Sequence, residues 1–209
     1  MSLTQPMFNV RAAAEMLGKP LEKRISSLRR QKHPKEGANK FAVPYYGPVV
    51  AGIRNFFRDG EPALCNARAK IQGLSLPSRR QHCERVLHSF ETDDFSGRPL
   101  SVIPNSRITT EVAGVILKLS PDMQAVENGQ RVLIYFNCGN SEYPPETARR
   151  LLEIAHYAAT LGGFQVDPKQ FIFVDLFNQK KYQITKVRQS TIDLMIEDFK
   201  QVDTLWPDL

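Results

Sequence analysis

The segment FIFVDLF, at residues 171–177, restricts the fold of this chain more than any other feature of the sequence. Its apolar residues follow one another almost without interruption, which is typical of a strand buried on both faces. An amphipathic helical pattern at 145–161 precedes it, and a helix is the usual crossover between parallel strands. The sequence therefore predicts an α/β (α+β) fold with a mixed sheet, in which 171–177 is a central strand.

Three short runs upstream of this strand predict an antiparallel meander. They are rich in β-branched or aromatic residues and lie at 108–120, 123–127 and 131–137, with Asn128-Gly129 between the last two. Asn-Gly in that position is the strongest short signal for a β-hairpin. Downstream, 181–187 is predicted as a further strand, and Ser190 with Asp193 resembles a capping box that opens a final helix.

The first 90 residues differ from the rest in period and in charge. Helical spacing predicts helices at 9–17, 21–30, 49–58 and 78–90, with Asn9 capping the first and a loop at 33–40. Residues 1–90 carry 16 basic and 6 acidic side chains, whereas residues 91–209 carry 12 and 16. We expect a basic helical layer at 1–90 and an α/β core with a C-terminal helix at 91–209.

A basic helical layer is a natural place to meet a polyanion, because Lys and Arg displace the counterions of nucleic-acid phosphates. Arg54 lies near Tyr45 and Tyr46, whose rings could stack on bases; the alternative is that both tyrosines are core residues. The basic helix across 21–30 is compatible with a helix-turn-helix reader and equally with a structural helix pair. The candidate nucleic-acid-binding residues are Lys23, Arg24, Arg29, Arg30, Arg54, Arg79 and Arg80.

Composition and motifs exclude several classes of protein. The longest purely apolar run has five residues, at 132–136, and the first residues do not resemble a signal peptide. The three cysteines lack the paired spacing of a zinc or redox site, and no glycine-rich phosphate loop or nucleophile elbow is present. We expect a cytoplasmic protein with no membrane partner and without common metabolic chemistry.

From residue 79 onward the order of predicted elements resembles the αβββαβ core of the PD-(D/E)XK nuclease superfamily, also called restriction-endonuclease-like. The RecB-type nucleases of DNA repair and CRISPR adaptation are most similar, since they also place a helical layer ahead of the meander. The resemblance covers about residues 79–190. It rests on element order and on Pro121-Asp122 at the start of the second run.

The resemblance implies a metal site in which Asp122 would be a catalytic residue and a ligand of Mg²⁺. That family also places a second carboxylate and a lysine on the next strand. Here Tyr135 stands at the carboxylate position and Asn137 at the lysine position. A phenol is a poor ligand for Mg²⁺ and an amide carries no charge, so the resemblance implies a degenerate site. Further acids considered for the site are Glu84, Glu91, Glu111 and Glu127.

Three functional hypotheses follow. The first is a nucleic-acid-associated, catalytically degenerate nuclease-like protein without a cofactor, with DNA favoured over RNA, for which the resemblance implies a setting in prokaryotic defence or mobile-element biology. The second is an active Mg²⁺-dependent nuclease that uses Asp122. The third is a protein-binding inhibitor or assembly module that presents 181–187 to a partner. Arg150 and His156 also satisfy the Arg-x(4–6)-His spacing of HEPN-type ribonucleases, but those are all-helical, and His156 lies on a helix between strands.

Overall fold

The computed structural model describes residues 5–17, 19–33 and 45–209, so the loop predicted at 33–40 lies largely outside the described residues. These residues form a mixed α+β fold, as the sequence predicts. The helices are α1 (Val10–Met16), α2 (Leu21–Lys32), α3 (Gly47–Asp59), α4 (Glu61–Gln72), α5 (Pro77–Glu91), α6 (Pro145–Leu161) and α7 (Gln189–Leu205). The strands are β1 (Met7–Asn9), β2 (Ser101–Ile103), β3 (Ile108–Val112), β4 (Val115–Leu119), β5 (Met123–Glu127), β6 (Gln130–Asn137), β7 (Phe171–Asp175) and β8 (Lys180–Gln183).

The main sheet has the strand order β2-β5-β6-β7-β8. Its β5–β6 hairpin turns at Asn128 and Gly129, which both have positive φ, as the Asn-Gly signal predicts. The α6 helix connects β6 to the parallel strand β7, and every residue of β7 is buried. The prediction of a helical crossover is therefore confirmed, and the strand predicted at 171–177 is confirmed at Phe171–Asp175, with residues 176–177 in the turn that follows.

The prediction that 108–120 is one strand of a meander is wrong. This run folds back on itself as the β3–β4 hairpin, with Ala113 and Gly114 at positive φ in its turn. In a second sheet of order β1-β4-β3, the strand β4 pairs in parallel with β1. The place beside β5 in the main sheet is taken by β2. Glycine tolerates the left-handed conformation that such a tight turn requires, and this allows the reversal.

The main sheet separates two hydrophobic cores, because successive residues of a strand point to opposite faces. Tyr135 and Phe173 face a core shared with α1, α2, α6, α7 and the small sheet. Phe136 and Val174 face a core shared with α3, α4 and α5. Residues 1–90 are therefore not one layer. Each of the two cores contains residues from both sides of the expected boundary at residue 90. Helices on both faces of the sheet were needed to cover it.

The start of α7 differs from the predicted capping box at Ser190 and Asp193. Arg188 is the N-cap residue, and no side chain of α7 caps its first turn. The backbone N–H of Arg188 instead donates to the carboxylate of Glu153 on α6, at 3.3 Å. A tertiary contact therefore replaces the local cap. The cap predicted at Asn9 is confirmed, since its side chain accepts a hydrogen bond from the N–H of Ala12.

Gly52 allows the close approach of α3 and α4. A Cβ atom added at Gly52 would lie 2.6 Å from the Cβ of Ala67. The clash should lower the free energy of unfolding of Gly52→Ala by about 1–3 kcal/mol. Alanine favours a helix over glycine by only roughly 0.5–1 kcal/mol, so we expect the variant to be less stable. Urea unfolding measures this difference. Gly97→Ala is the control, because a Cβ there would have no atom within 4 Å; equal effects of the two substitutions would contradict the prediction.

Candidate functional site

Asp122 lies immediately before β5, opposite Tyr135 in the continued register of the β5–β6 hairpin. Its Oδ2 atom accepts two hydrogen bonds, one from the Arg11 guanidinium at 3.0 Å and one from the backbone N–H of Phe136 at 2.8 Å. The same Arg11 nitrogen donates to the carbonyl of Phe136 at 2.9 Å. The carboxylate at the predicted site is therefore held in an ion pair with the first helix.

The two positions on β6 do not supply metal-binding groups. Tyr135 is buried, and its hydroxyl has no hydrogen-bond partner among the described residues. Burial raises the pKa of Tyr135 well above its ordinary value, and the nearby Asp122 adds to this shift. The Asn137 amide donates to the buried carboxylate of Asp175 at 2.8 Å and to the carbonyl of Ser141 at 3.0 Å. Tyr135 is thus a neutral phenol, and Asn137 ties together the ends of β6 and β7.

The residues around Asp122 do not fit a magnesium ion. Across the described parts of the chain, no three His, Cys, Asp or Glu side chains lie close enough together to hold a metal. The Arg11 guanidinium is instead the cation beside Asp122. The other acids considered have different surroundings: Glu84 accepts from Gln72, Glu91 pairs with Arg68, Glu127 pairs with Arg98, and Glu111 is exposed on β3.

A cleft of about 480 Å³ opens beside Asp122. It lies between the first turns of α3, the end of β6 and α1, and Arg11 and Arg54 both line it. The Nε atom of Arg54 donates to the backbone carbonyl of Asp122. Burial lowers the pKa of Arg54, and the Asp122 carboxylate offsets part of this effect. An arginine still carries its charge at neutral pH, so the cleft contains two half-buried guanidinium groups.

Each of the two guanidinium groups is oriented by hydrogen bonds from some of its N–H groups, and its other N–H groups are left to donate to a ligand. Arg54 uses only Nε, and Arg11 uses only one Nη, in hydrogen bonds within the described residues. The remaining nitrogen atoms of Arg11 and Arg54 are not buried without a partner, so they are accessible to solvent. A guanidinium fixed in this way suits a phosphate or carboxylate, whose oxygens match its planar array of donors. The cleft therefore presents guanidinium donors of the kind from which phosphate and carboxylate oxygens accept hydrogen bonds.

Tyr45 and Tyr46 complete the cleft at the start of α3. Their rings meet edge to face at 4.8 Å. Helix α5 holds Tyr45 in place: Arg79 donates to its carbonyl at 2.8 Å and lies over its ring, and the Tyr45 hydroxyl is 3.2 Å from Nδ1 of His82. Tyr45 as a whole is nevertheless 40% exposed. The alternative that both tyrosines are core residues does not hold for Tyr45.

The predicted basic residues do not form one surface. Helix α2 packs on the core opposite to that of α5, so Lys23, Arg29 and Arg30 are exposed on a different side of the sheet from Arg79 and Arg80. Arg24 pairs with the buried Asp198 of α7 and serves packing. Arg80 donates to the carbonyl of Gln72 at 3.4 Å. Of the seven candidates, Arg54 lines the cleft and Arg79 supports its Tyr45.

Arg11 is the site residue that sequence reasoning missed. It lies in the first turn of α1 among alanines, and its partner Asp122 is 111 residues away. Its one local signal was that a charged side chain interrupts an otherwise apolar helix start. The Arg150 and His156 pair does not form a site, because Arg150 pairs with Glu146 and His156 is 3.0 Å from the carbonyl of Val166.

None of the helices in the described residues combines the length and the apolar composition needed to cross a bilayer.

We compared the chain with known proteins. No protein-family model matches the chain, and no curated protein matches it. The solved structure of a protein designated SSO0001 is similar with a TM-score of 0.37 and 14% identity, over 93% of this chain and 84% of that one. At that TM-score the two structures are too distant for one to inform the other.

Proposed function

We propose that this protein binds nucleic acid through its phosphates and does not cleave it. The observation that carries the proposal is the pairing of Arg11 with Asp122. At the position where a PD-(D/E)XK nuclease would need two carboxylates and a divalent cation, this chain has one carboxylate and a guanidinium. Arg54 adds a second guanidinium at the main chain of Asp122, so two arginines and one carboxylate leave the cleft with one net positive charge, which attracts an anion.

The charge distribution supports the same proposal. The cleft arginines belong to the part of the chain in which basic residues outnumber acidic ones by 16 to 6. The exposed Lys23, Arg29 and Arg30 add positive charge on another side of the molecule. Such charge attracts a polyanion over distances of about a Debye length, roughly 8–10 Å at moderate salt. We propose DNA over RNA as the partner.

The test is a binding and cleavage assay with labelled single- and double-stranded DNA and RNA, with and without Mg²⁺ or Mn²⁺. We expect binding without cleavage. The affinity should fall steeply between about 50 and 200 mM salt, because each phosphate contact releases a condensed counterion. Binding that is absent or independent of salt would overturn the proposal, and co-purification of a protein partner in its place would favour the assembly module.

The Asp122→Asn variant separates binding from nuclease activity. Replacing the carboxylate removes a negative charge from the anion site, so we expect nucleic-acid affinity to be retained or to rise. In an active nuclease the same variant would lose metal-dependent cleavage. Cleavage by the unmodified protein that needs Mg²⁺ and disappears on substitution of Asp122 would therefore contradict the proposal and establish the nuclease alternative.

A further inference from the structure

The cleft has the size of a small-molecule site. Its volume of about 480 Å³ falls in the range of roughly 300–1,000 Å³ that such sites have. A base in a duplex is stacked between its neighbours and paired across the helix, so a duplex cannot place a base in a cleft of this size without unpairing it. An unpaired nucleotide meets no such barrier.

The cleft joins the two kinds of group that a single nucleotide requires. Arg11 and Arg54 supply fixed donors for the phosphate, as described above. Tyr45 and Tyr46 supply aromatic surface for the base, and both line the same cleft as the arginines. Stacking on aromatic side chains next to a positively charged groove is the usual mode of single-strand binding, and it tolerates any base.

The Tyr45 ring is positioned before any ligand arrives. The Tyr45 carbonyl accepts a hydrogen bond from Arg79, and the Tyr45 hydroxyl meets His82. The guanidinium carbon of Arg79 lies 5.5 Å from the centre of the Tyr45 ring, which also packs edge to face with Tyr46. A ring held on three sides loses little conformational freedom when a base stacks on it. Tyr45 also remains 40% exposed, so part of its surface is open to a base.

We propose that this cleft binds one unpaired nucleotide, with its phosphate on Arg54 and Arg11 and its base against Tyr45 and Tyr46. The inference rests on the proposed function and makes it more specific, since it selects single strands, or strands with an unpaired end, over closed duplexes. DNA and RNA strands share this chemistry.

Fluorescence anisotropy with three labelled probes of one sequence tests the inference: a single strand, the blunt duplex, and a single strand with abasic positions that keeps every phosphate. We expect the single strand to bind more tightly than the duplex. Tyr45→Ala should weaken single-strand binding about fivefold to a hundredfold, which is the usual effect of losing one stacked base. The abasic strand should bind the unmodified protein as weakly as the normal strand binds Tyr45→Ala.

Tyr45→Phe is the conservative variant, because it keeps the ring and removes only the hydroxyl that meets His82. It should recover most of the affinity that Tyr45→Ala loses, since stacking requires the ring. The DNA and RNA versions are run in parallel, and the Tyr45 comparison is made on whichever strand binds more tightly. Salt-dependent binding that is equal for strand and duplex, and unchanged in Tyr45→Ala, would overturn this inference and leave the proposed function standing. Failure of all probes to bind would overturn both.

Discussion

Replacing Glu153 by alanine is expected to lower the free energy of unfolding by about 1.5–3 kcal/mol, the usual contribution of a hydrogen bond to a charged group. The Glu153 side chain is completely buried on α6. Its two oxygens accept from Arg188 Nε at 2.8 Å, from Arg188 Nη2 at 3.0 Å, from the Thr191 hydroxyl at 2.6 Å and from Arg149 Nε at 3.2 Å. The substitution would leave the donors of Arg188 and Thr191 at the start of α7, and that of Arg149 on α6, without their acceptor.

Glu146→Ala is the control for this prediction. Glu146 lies two turns earlier on α6 and also pairs with Arg188, at 2.8 Å, but its side chain is 50% exposed. Exposed pairs of this kind contribute about 0–1 kcal/mol. Urea unfolding at neutral pH compares the two variants with the unmodified protein. An effect of Glu153→Ala no larger than that of Glu146→Ala would show that the buried network does not hold α7 to α6.

The cost of Glu153→Ala should also depend on pH. Burial by itself raises the pKa of Glu153, but hydrogen bonds from Arg188, Thr191 and Arg149 outweigh burial and hold the pKa below its ordinary value of 4.5. A carboxyl whose pKa is lower in the folded state stabilises it fully above pH 4.5, and this stabilisation is lost as the pH falls through the folded pKa. The difference between the unmodified protein and Glu153→Ala should therefore shrink below pH 4.5. A constant difference would contradict this assignment.

Arg54→Gln is expected to reduce nucleic-acid affinity about tenfold to a hundredfold, because a hydrogen bond to a charged group contributes about 1.5–3 kcal/mol. The loss of one phosphate contact should also lower the slope of log affinity against log salt by about 1. Arg54 is half-buried in the cleft and donates to the Asp122 carbonyl. Affinity measured by anisotropy over a series of salt concentrations gives both quantities.

Arg58→Gln controls for the loss of one positive charge on the same helix. Arg58 is exposed, its guanidinium donates to Asn55, and it does not line the cleft. We expect it to weaken binding only slightly, through the general field of the protein. Circular dichroism of both variants checks that α3 remains folded. If Arg58→Gln weakens binding as much as Arg54→Gln does, net charge and not the cleft determines the affinity.

Much of the fold was predictable because the sequence features that indicate its helices, strands and turns are local. The Asn128-Gly129 turn, the buried strand β7, the amphipathic helix α6 and the Asn9 cap each depend on residues within a few positions of one another. The short strands β1 and β2 were not predicted, since three residues are too few to show a period. Helix α4 was also missed, because its polar residues hide a narrow buried stripe of Ala63, Leu64, Ala67 and Ile71.

The candidate site was predictable only in part. The sequence singled out Asp122, Arg54 and the two tyrosines, and it indicated that Tyr135 and Asn137 lack metal-binding chemistry. Nothing local connects Arg11 with Asp122, because their ion pair joins two segments that meet only when α1 packs beside the main sheet. In the same way, Glu153 replaced the predicted cap of α7 from a distant helix.

The sequence by itself determined the secondary structure of most segments and the excess of positive charge in its first 90 residues. Only the tertiary structure decided where that charge lies, because the main sheet has two apolar faces and each needed helices to cover it. The basic helices were therefore divided between opposite sides, and Arg11 and Arg54 were brought together at one cleft. Periodicity shows which face of a helix is buried, but not against which partner, and the partner decides which charges meet.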